Sequence, residues 1–279
     1  MLLRCGKFHF TFGRPLVMGI VNVTPDSFFD GGAHGTTAAA IAHALKLVED
    51  GADILDVGGE STRPGAAMVS EREELERVIP VLRGLRDVPV PVSIDTWKPA
   101  VMQAAMAEGA SMINDVNALQ AEGALAVAAA GTVAVCLMHK QGMPATMQQQ
   151  PQYDNVVGEV TDYLHQRVAA AERAGIARER IVIDPGFGFG KTLEHNLALL
   201  RGLPELARIG VPVLAGMSRK SMLGQITGRG VDERQSASVA AALLAVQRGA
   251  GIVRVHDVRE TVDALKVWLA VNRETKPSP

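Results

Sequence analysis

The chain has 279 residues, 47% hydrophobic and 21% charged, enough to bury a sizeable core in one large domain or two small ones. A formal net charge of −2 with no basic stripe or charged tail argues against a nucleic-acid partner. No apolar run approaches the roughly 18 residues a membrane span needs, and MLLRCGKFHF lacks the features of a secretory signal. The two cysteines, Cys5 and Cys136, lie far apart without metal-ligand spacing, which suits reduced, buried thiols in a cytoplasmic protein.

Residues 2–12 alternate loosely around a glycine and predict a short hairpin, the kind of piece that plugs the amino-terminal mouth of a barrel. A buried strand is expected at 16–23, then a glycine-rich loop, TPDSFFDGGAHG, too long for a tight turn. A helix follows at 37–49, a strand at 54–57, and a second glycine- and proline-bearing loop, GGESTRPGAAM. Ser70 and Glu73 have capping-box spacing before a helical run through Leu75, Val78, Ile79 and Leu82. A strand at 90–94 leads to a helix with Pro99 in its first turn. Then come a strand at 112–116, a helix at 121–129, a strand at 133–138, a polar segment ending in a short glutamine run, and a long helix at 155–174.

The next stretch, IVIDPGFGFGK at 181–191, carries the same grammar most plainly. A short apolar strand ends in a carboxylate, Asp184, and three glycines let the backbone come close to a neighbour. The bland reading of Asp184 is a turn or helix cap. Helices are expected at 195–200, 236–249 and 258–271, with strands at 211–215 and 252–257. Eight apolar runs each deliver a polar group near the C-terminal end: Asn22, Thr62, Asp95, Asn114, His139, Asp184, Lys220 and His256. Strands and helices alternate without a linker, so the expected fold is α/β: a single (β/α)8 TIM barrel over 1–279, with the hairpin in 1–14 and a frayed tail at 274–279. A doubly wound open sheet is the alternative. A barrel gathers the polar strand ends at one mouth, where an open sheet spreads them along an edge. The 236–249 helix is apolar over most of its circumference, which suggests a dimer contact or merely tolerated alanines.

The loops after strands 7 and 8 are the usual anion site of a barrel, and here they offer Ser218, Arg219, Lys220, Arg254 and His256. Arg254 and His256 are two apart on one strand and share a face, which suits a pyrophosphate-like oxyanion. Taken alone, the pair reads equally as an arginine on a core carboxylate and a buried, hydrogen-bonded histidine. Across the mouth, Asp95, Asn114 and Asp184 accept hydrogen bonds in the pattern an N–H-rich heterocycle such as a pterin offers, with Lys220 as a matching donor. Met138 and His139 line the pocket. Asp56 and Asp115 sit in strands, and side-chain parity decides whether they face the mouth. Asn22, with Asp26 and Asp30 nearby, could hold Mg²⁺ beside phosphate oxygens. GFGFGK has neither Walker nor dinucleotide spacing, so nucleotide binding through it is rejected. His9, His34 and His43 read as surface or loop histidines.

The motifs NVTPDSFFDGG, DVGGESTRPGA, SIDTWKP, INDVNAL, LMHKQG, DPGFGFGK, SRKSMLG and RVHDV, in this order, resemble the bacterial dihydropteroate synthase family over about residues 15–270. The resemblance implies a homodimeric barrel that condenses 6-hydroxymethyl-7,8-dihydropterin diphosphate with 4-aminobenzoate. It implies Asn22 as the Mg²⁺ ligand, and Thr62, Arg254 and His256 as diphosphate contacts. Asp95, Asn114, Asp184 and Lys220 fall to the pterin side, and Met138 and Gly216 are further substrate-binding residues. Thr62, Arg63, Pro64, Phe189 and Ser221 fall to the aminobenzoate side, where sulfonamides compete. Asp95, Asp184, Lys220, Arg254 and His256 are the residues the chemistry would rest on. Trp97 and Ala237 depart from the family's usual smaller residue and glycine, which touches local packing more than chemistry. The rivals are a methyltetrahydrofolate-binding domain of a corrinoid methyltransferase, which has no use for a diphosphate clamp, and a Schiff-base aldolase built on Lys220.

Overall fold

The computed structural model describes residues 1–23, 32–61, 68–142, 147 and 151–272, with side chains described from residue 37 onward in the second stretch. The chain opens with an antiparallel hairpin, β1 (Leu2–Cys5) and β2 (Phe8–Thr11), and then alternates. β3 (Leu16–Asn22), α1 (Gly32–Glu49), β4 (Ile54–Gly58), α2 (Glu71–Gly84), β5 (Val92–Asp95), α3 (Pro99–Ala107), β6 (Met112–Asp115) and α4 (Ala124–Ala130) form the first half. β7 (Ala134–Met138), α5 (Val156–Arg173), β8 (Ile181–Asp184), α6 (Leu193–Ala207), β9 (Leu214–Ala215), α7 (Ser221–Thr227), α8 (Gln235–Gln247), β10 (Ile252–Val255) and α9 (Val258–Asn272) form the second. β3 to β10 make an eight-stranded parallel sheet in the order β8-β7-β6-β5-β4-β3-β10-β9. A parallel bridge from Ile183 to Val213, just before β9, joins its two edges and closes the barrel.

Side-chain parity sorts the strand residues into two cores. Leu16, Met18, Ile54, Met112, Ala134, Cys136, Val182, Leu214 and Ile252 point into the barrel and form one buried cluster. Their neighbours Val17, Leu55, Ile94, Ile113, Val135, Ile183 and Val253 point outward to the helices and form the other. Leu3 and Cys5 of the hairpin are fully buried in the inner cluster, with Phe8, Phe10 and Phe12 against it, so the hairpin plugs the amino-terminal mouth as expected. That plug removes water from the barrel floor, where each buried aliphatic side chain contributes about 1.5–3 kcal/mol. The opposite end of the same inner face carries polar residues.

The helices start where side chains satisfy their first N–H groups. Ser70 Oγ accepts from Glu73 N at 3.2 Å, Asn155 Oδ1 from Gly158 N at 3.1 Å, and Thr192 Oγ1 from His195 N at 3.2 Å. Three departures from expectation are local. α1 begins at Gly32 rather than 37. α6 runs to Ala207 rather than ending near Leu200, because Leu203 and Leu206 continue its buried stripe through Pro204. The short helix α7 was not expected; Lys220 precedes it and Gly228, with φ +70°, ends it. α8 buries Ala241, Ala242, Ala245 and Val246 and leaves Leu244 41% exposed. Among the described residues, no helix is long and apolar enough to cross a membrane.

Candidate active site

Continuing the inner parity upward from the apolar floor brings Asn22, Asp56, Asp95, Asn114, Met138, Asp184, Gly216, Arg254 and His256 to the C-terminal mouth. The register keeps them level. Gly58 is paired with Asp95, Asp95 with Asn114, and Met138 with Asp184. Asp184 and Arg254 flank one point: a Cβ on Gly216 would lie 3.7 Å from Arg254 Cβ and 4.0 Å from Asp184 Oδ2. The acids and the cations predicted for opposite sides of one rim therefore share it.

Asp56 is the residue that sequence left undecided, and it faces in. It is fully buried, and its Oδ2 accepts Arg254 Nε at 2.6 Å and Asn114 Nδ2 at 3.0 Å. Asp95 Oδ2 accepts Arg254 Nη2 at 2.9 Å. One guanidinium thus bridges two carboxylates. Asp115 faces out, where its carboxylate accepts the backbone N–H groups of Asn117 and Leu119, both at 2.7 Å, and shapes the turn after β6.

Asp184 Oδ1 accepts Gly186 N–H at 2.7 Å, which fixes the carboxylate at the start of the glycine loop. Lys220 Nζ donates to Phe187 O and stands 4.6 Å from the centre of the Phe189 ring. Phe189 is half-buried, Met138 buried, and Ser221 exposed at the start of α7. His256 is held through Ser218, whose Oγ accepts the His256 backbone N–H at 3.2 Å and lies 2.9 Å from Nδ1. With the Ser218 hydroxyl donating to Nδ1, the ring's Nε2 carries the proton.

Burial pushes Asp95 up to about 7, Arg254 pulling the other way. Burial also raises Asp184, opposed by Lys220. Burial lowers Lys220 to about 8, opposed by Asp184. Burial works against the Arg254 charge, but Asp56 and Asp95 outweigh it and hold the group above its ordinary range.

Several expectations change. Arg219 does not join the mouth: its guanidinium donates to Asp257 Oδ1 at 2.6 Å, and Asp257 has the outward parity next to His256. Arg254 and His256 are indeed an ion-paired arginine and a hydrogen-bonded histidine, and both stand at the mouth. His139 is buried and lies 3.0 Å from Lys191 Nζ. His43 belongs to α1, with Nε2 3.3 Å from Ile20 O. Trp97 donates Nε1–H to Glu60 Oε2 at 3.0 Å, a partner that accounts for the large residue there. Thr62, Arg63 and Pro64, and with them Asp26 and Asp30, lie outside the described residues.

Among the described residues, no group of three or more His, Cys, Asp or Glu side chains is poised to hold a metal ion. Asn22 offers one amide oxygen at the inner rim, a donor that fits a hard cation completed by phosphate oxygens and water.

The family model for pterin-binding enzymes matches residues 18–256. The chain is 54% identical over 275 residues to the dihydropteroate synthase of Neisseria meningitidis serogroup B, covering 96% of each chain. It superposes with a TM-score of 0.92 and 55% identity on the Xanthomonas albilineans dihydropteroate synthase with 4-aminobenzoic acid, covering 100% of this chain and 99% of that one. It superposes with a TM-score of 0.89 and 52% identity on the same organism's enzyme in complex with 7,8-dihydropteroate, covering 100% of both chains.

Proposed function

The chain belongs to the family of pterin-binding enzymes, and we infer from that premise how its rim works in the dihydropteroate synthase reaction. The protein is an enzyme that condenses 6-hydroxymethyl-7,8-dihydropterin diphosphate with 4-aminobenzoate to give 7,8-dihydropteroate and pyrophosphate. The corrinoid-methyltransferase alternative gives way, because the full-length relatives are synthases. The observation that carries the reading is the shared rim: Asp95, Asn114 and Asp184 beside Arg254, Lys220 and His256.

The assignment of roles follows from donor and acceptor chemistry. Asp95, Asn114 and Asp184 accept the pterin's N–H groups, and Lys220 donates to a ring oxygen or nitrogen. Arg254 and His256 Nε2 draw off the charge that grows on the departing diphosphate. Asn22 would hold Mg²⁺ through its amide oxygen, and the ion, when bound, would neutralise phosphate charge. The arylamine is neutral near pH 7, so no base is needed to activate it. The dihydropterin ring spreads positive charge from its methylene, and the carboxylates of Asp95 and Asp184 stabilise that cation. The C–O bond therefore breaks ahead of C–N formation. Phe189 and Ser221 border the arylamine, and sulfonamides compete there by presenting the same aromatic amine. The exposed outer face of α8, with Leu244, is the surface for a homodimer. Two buried free thiols, Cys5 and Cys136, suit a cytoplasmic location.

The test is pyrophosphate release from the pterin diphosphate, with and without 4-aminobenzoate and Mg²⁺. Release that needs both supports the reading, and no release under any of these conditions overturns it.

A further inference from the structure

The GFGFGK stretch contains a lysine that the reaction does not use. Lys191 is 3% exposed, and its ammonium sits in the seam between the exit of β7 and the loop after β8. Nζ lies 2.9 Å from Gly186 O, 3.0 Å from Phe189 O and 3.0 Å from His139 Nδ1, with His139 O at 3.5 Å. Three N–H donors thus meet three acceptors within 3.0 Å, with His139 O as a fourth, longer contact. Burial and the neighbouring Lys191 push His139 down to about 3, so its ring is neutral and Nδ1 is available to accept. Phe189 N–H closes back on Gly186 O at 3.1 Å, and Tyr153 Oη donates to Gly190 O at 2.9 Å. Asn196 Oδ1 accepts Gly188 N–H at 2.7 Å. Burial lowers Lys191 to about 7, opposed by Asp184, so the group is an ammonium on the acid side of about pH 7, while Lys220 donates to Phe187 O of the same loop.

We propose that Lys191 is a positioning residue for the arylamine: an internal ammonium that stands where a monovalent cation would, among the carbonyl oxygens of Gly186 and Phe189, and so fixes the Phe189 ring. The proposal rests on the reading of Phe189 as an arylamine contact. Asp184 is anchored by its β8 pairing with Met138 besides the Gly186 N–H, so the pterin side depends less on this cage than Phe189 does. Without the ammonium, Phe189 O and His139 Nδ1 lose their partner and the loop relaxes.

The experiment measures KM for both substrates, kcat and thermal melting in Lys191→Met, and repeats the kinetics for Lys191→Ala with added ammonium, potassium or sodium chloride. Lys191→Met should raise KM for 4-aminobenzoate by roughly tenfold or more while KM for the pterin diphosphate stays within about threefold. Ammonium or potassium, but not sodium, should restore much of the loss in Lys191→Ala. Equal rises in both KM values, unchanged KM values, or no cation-selective restoration would each overturn the role. If Lys191→Met fails to fold, the same KM comparison is made on Lys191→Ala: a 4-aminobenzoate-selective rise that ammonium or potassium reverses decides in favour, and any other result decides against. The unsubstituted enzyme is the control: absence of pyrophosphate release there sinks the reaction itself rather than the role of Lys191.

Discussion

Arg254 and Asp56 stand 198 positions apart in the chain and 2.6 Å apart in space, Nε to Oδ2. The same Asp56 oxygen takes Asn114 Nδ2, so one buried carboxylate orients the Asn114 amide and the Arg254 guanidinium together. Its other oxygen, Oδ1, has no hydrogen-bond partner among the described residues. Asp56→Ala leaves the Arg254 charge with Asp95 as its remaining carboxylate partner. Loss of a buried pair of this kind costs about 3 kcal/mol. The expected result is a lower melting temperature and a higher KM for the pterin diphosphate, measured by calorimetry and initial rates. Unchanged values for both would show that Arg254 is held without Asp56. Ser93 Oγ, across the strand pairing from Asp56, is buried and likewise without a partner. Ser93→Ala should therefore be neutral or slightly stabilising, within about 1 kcal/mol.

The pH dependence follows from two groups on the rim. Asp95 is pushed up to about 7 by burial, and it accepts hydrogen bonds fully only as the carboxylate. Activity should fall as pH drops through about 7 and Asp95 takes a proton. Lys220 is lowered to about 8 by burial, so activity should fall again as pH rises past about 8 and the ammonium is lost. The kcat/KM profile is expected to be a narrow bell, since that parameter reports groups of the free enzyme. Asp95→Asn should flatten the acid limb and slow C–O cleavage while keeping much of the diphosphate affinity. An acid limb that survives in Asp95→Asn would assign it to another group.

Much of this was legible in the chain. The alternation of apolar strands and helices gave the barrel, and the polar residue closing each strand gave the mouth. Parity also separates Asn114 from Asp115, because successive side chains on a strand face opposite ways. What a single sequence does not carry is which distant residues share a partner. Parity places Asp56 with Ile54 on the inner face, but its partner Arg254 comes to it only across the barrel. Arg219 sits in a basic run with Lys220, yet Asp257 draws it to the outer side. α7 was hidden because its seven residues are too few for helical periodicity to stand out. α6 runs on through Gly202 and Pro204, residue types that usually end a helix, because Leu203 and Leu206 are buried.

The glycines of the DPGFGFG loop answer different needs. Gly186 has φ +68°, and a Cβ there would collide with the carbonyl oxygen of His139. The backbone cannot yield as a flexible side chain can. Gly188, at φ +79°, would meet Lys220 Cδ at 3.2 Å, the middle of a flexible side chain. Each alanine pays the left-handed penalty of about 1–2 kcal/mol, and Gly186→Ala adds the clash. Gly186→Ala should lower the melting temperature markedly more than Gly188→Ala. Gly188→Ala should instead raise KM for the pterin diphosphate by displacing Lys220. Equal melting temperatures for the two variants would contradict the contact with His139.

Lys98 tests the network behind the rim. Its Nζ donates to Glu60 Oε2 at 3.0 Å and to Glu74 Oε2, and Trp97 Nε1 shares the Glu60 oxygen. Glu60 Oε1 takes the Val69 N–H at 2.9 Å, so this cluster ties the start of α3 to the chain leading into α2. Glu74 is fully buried and its Oε1 has no hydrogen-bond partner among the described residues. Lys98→Met removes the cation and leaves two carboxylates facing each other in a poorly solvated space, a loss of about 3–5 kcal/mol. The accompanying Glu74→Gln change removes one of those charges, so the double variant should recover part of the loss. Chemical denaturation of the single and double variants forms a double-mutant cycle that measures the coupling. Additive losses would mean that Lys98 and Glu74 act independently, and that Glu60 alone holds the ammonium.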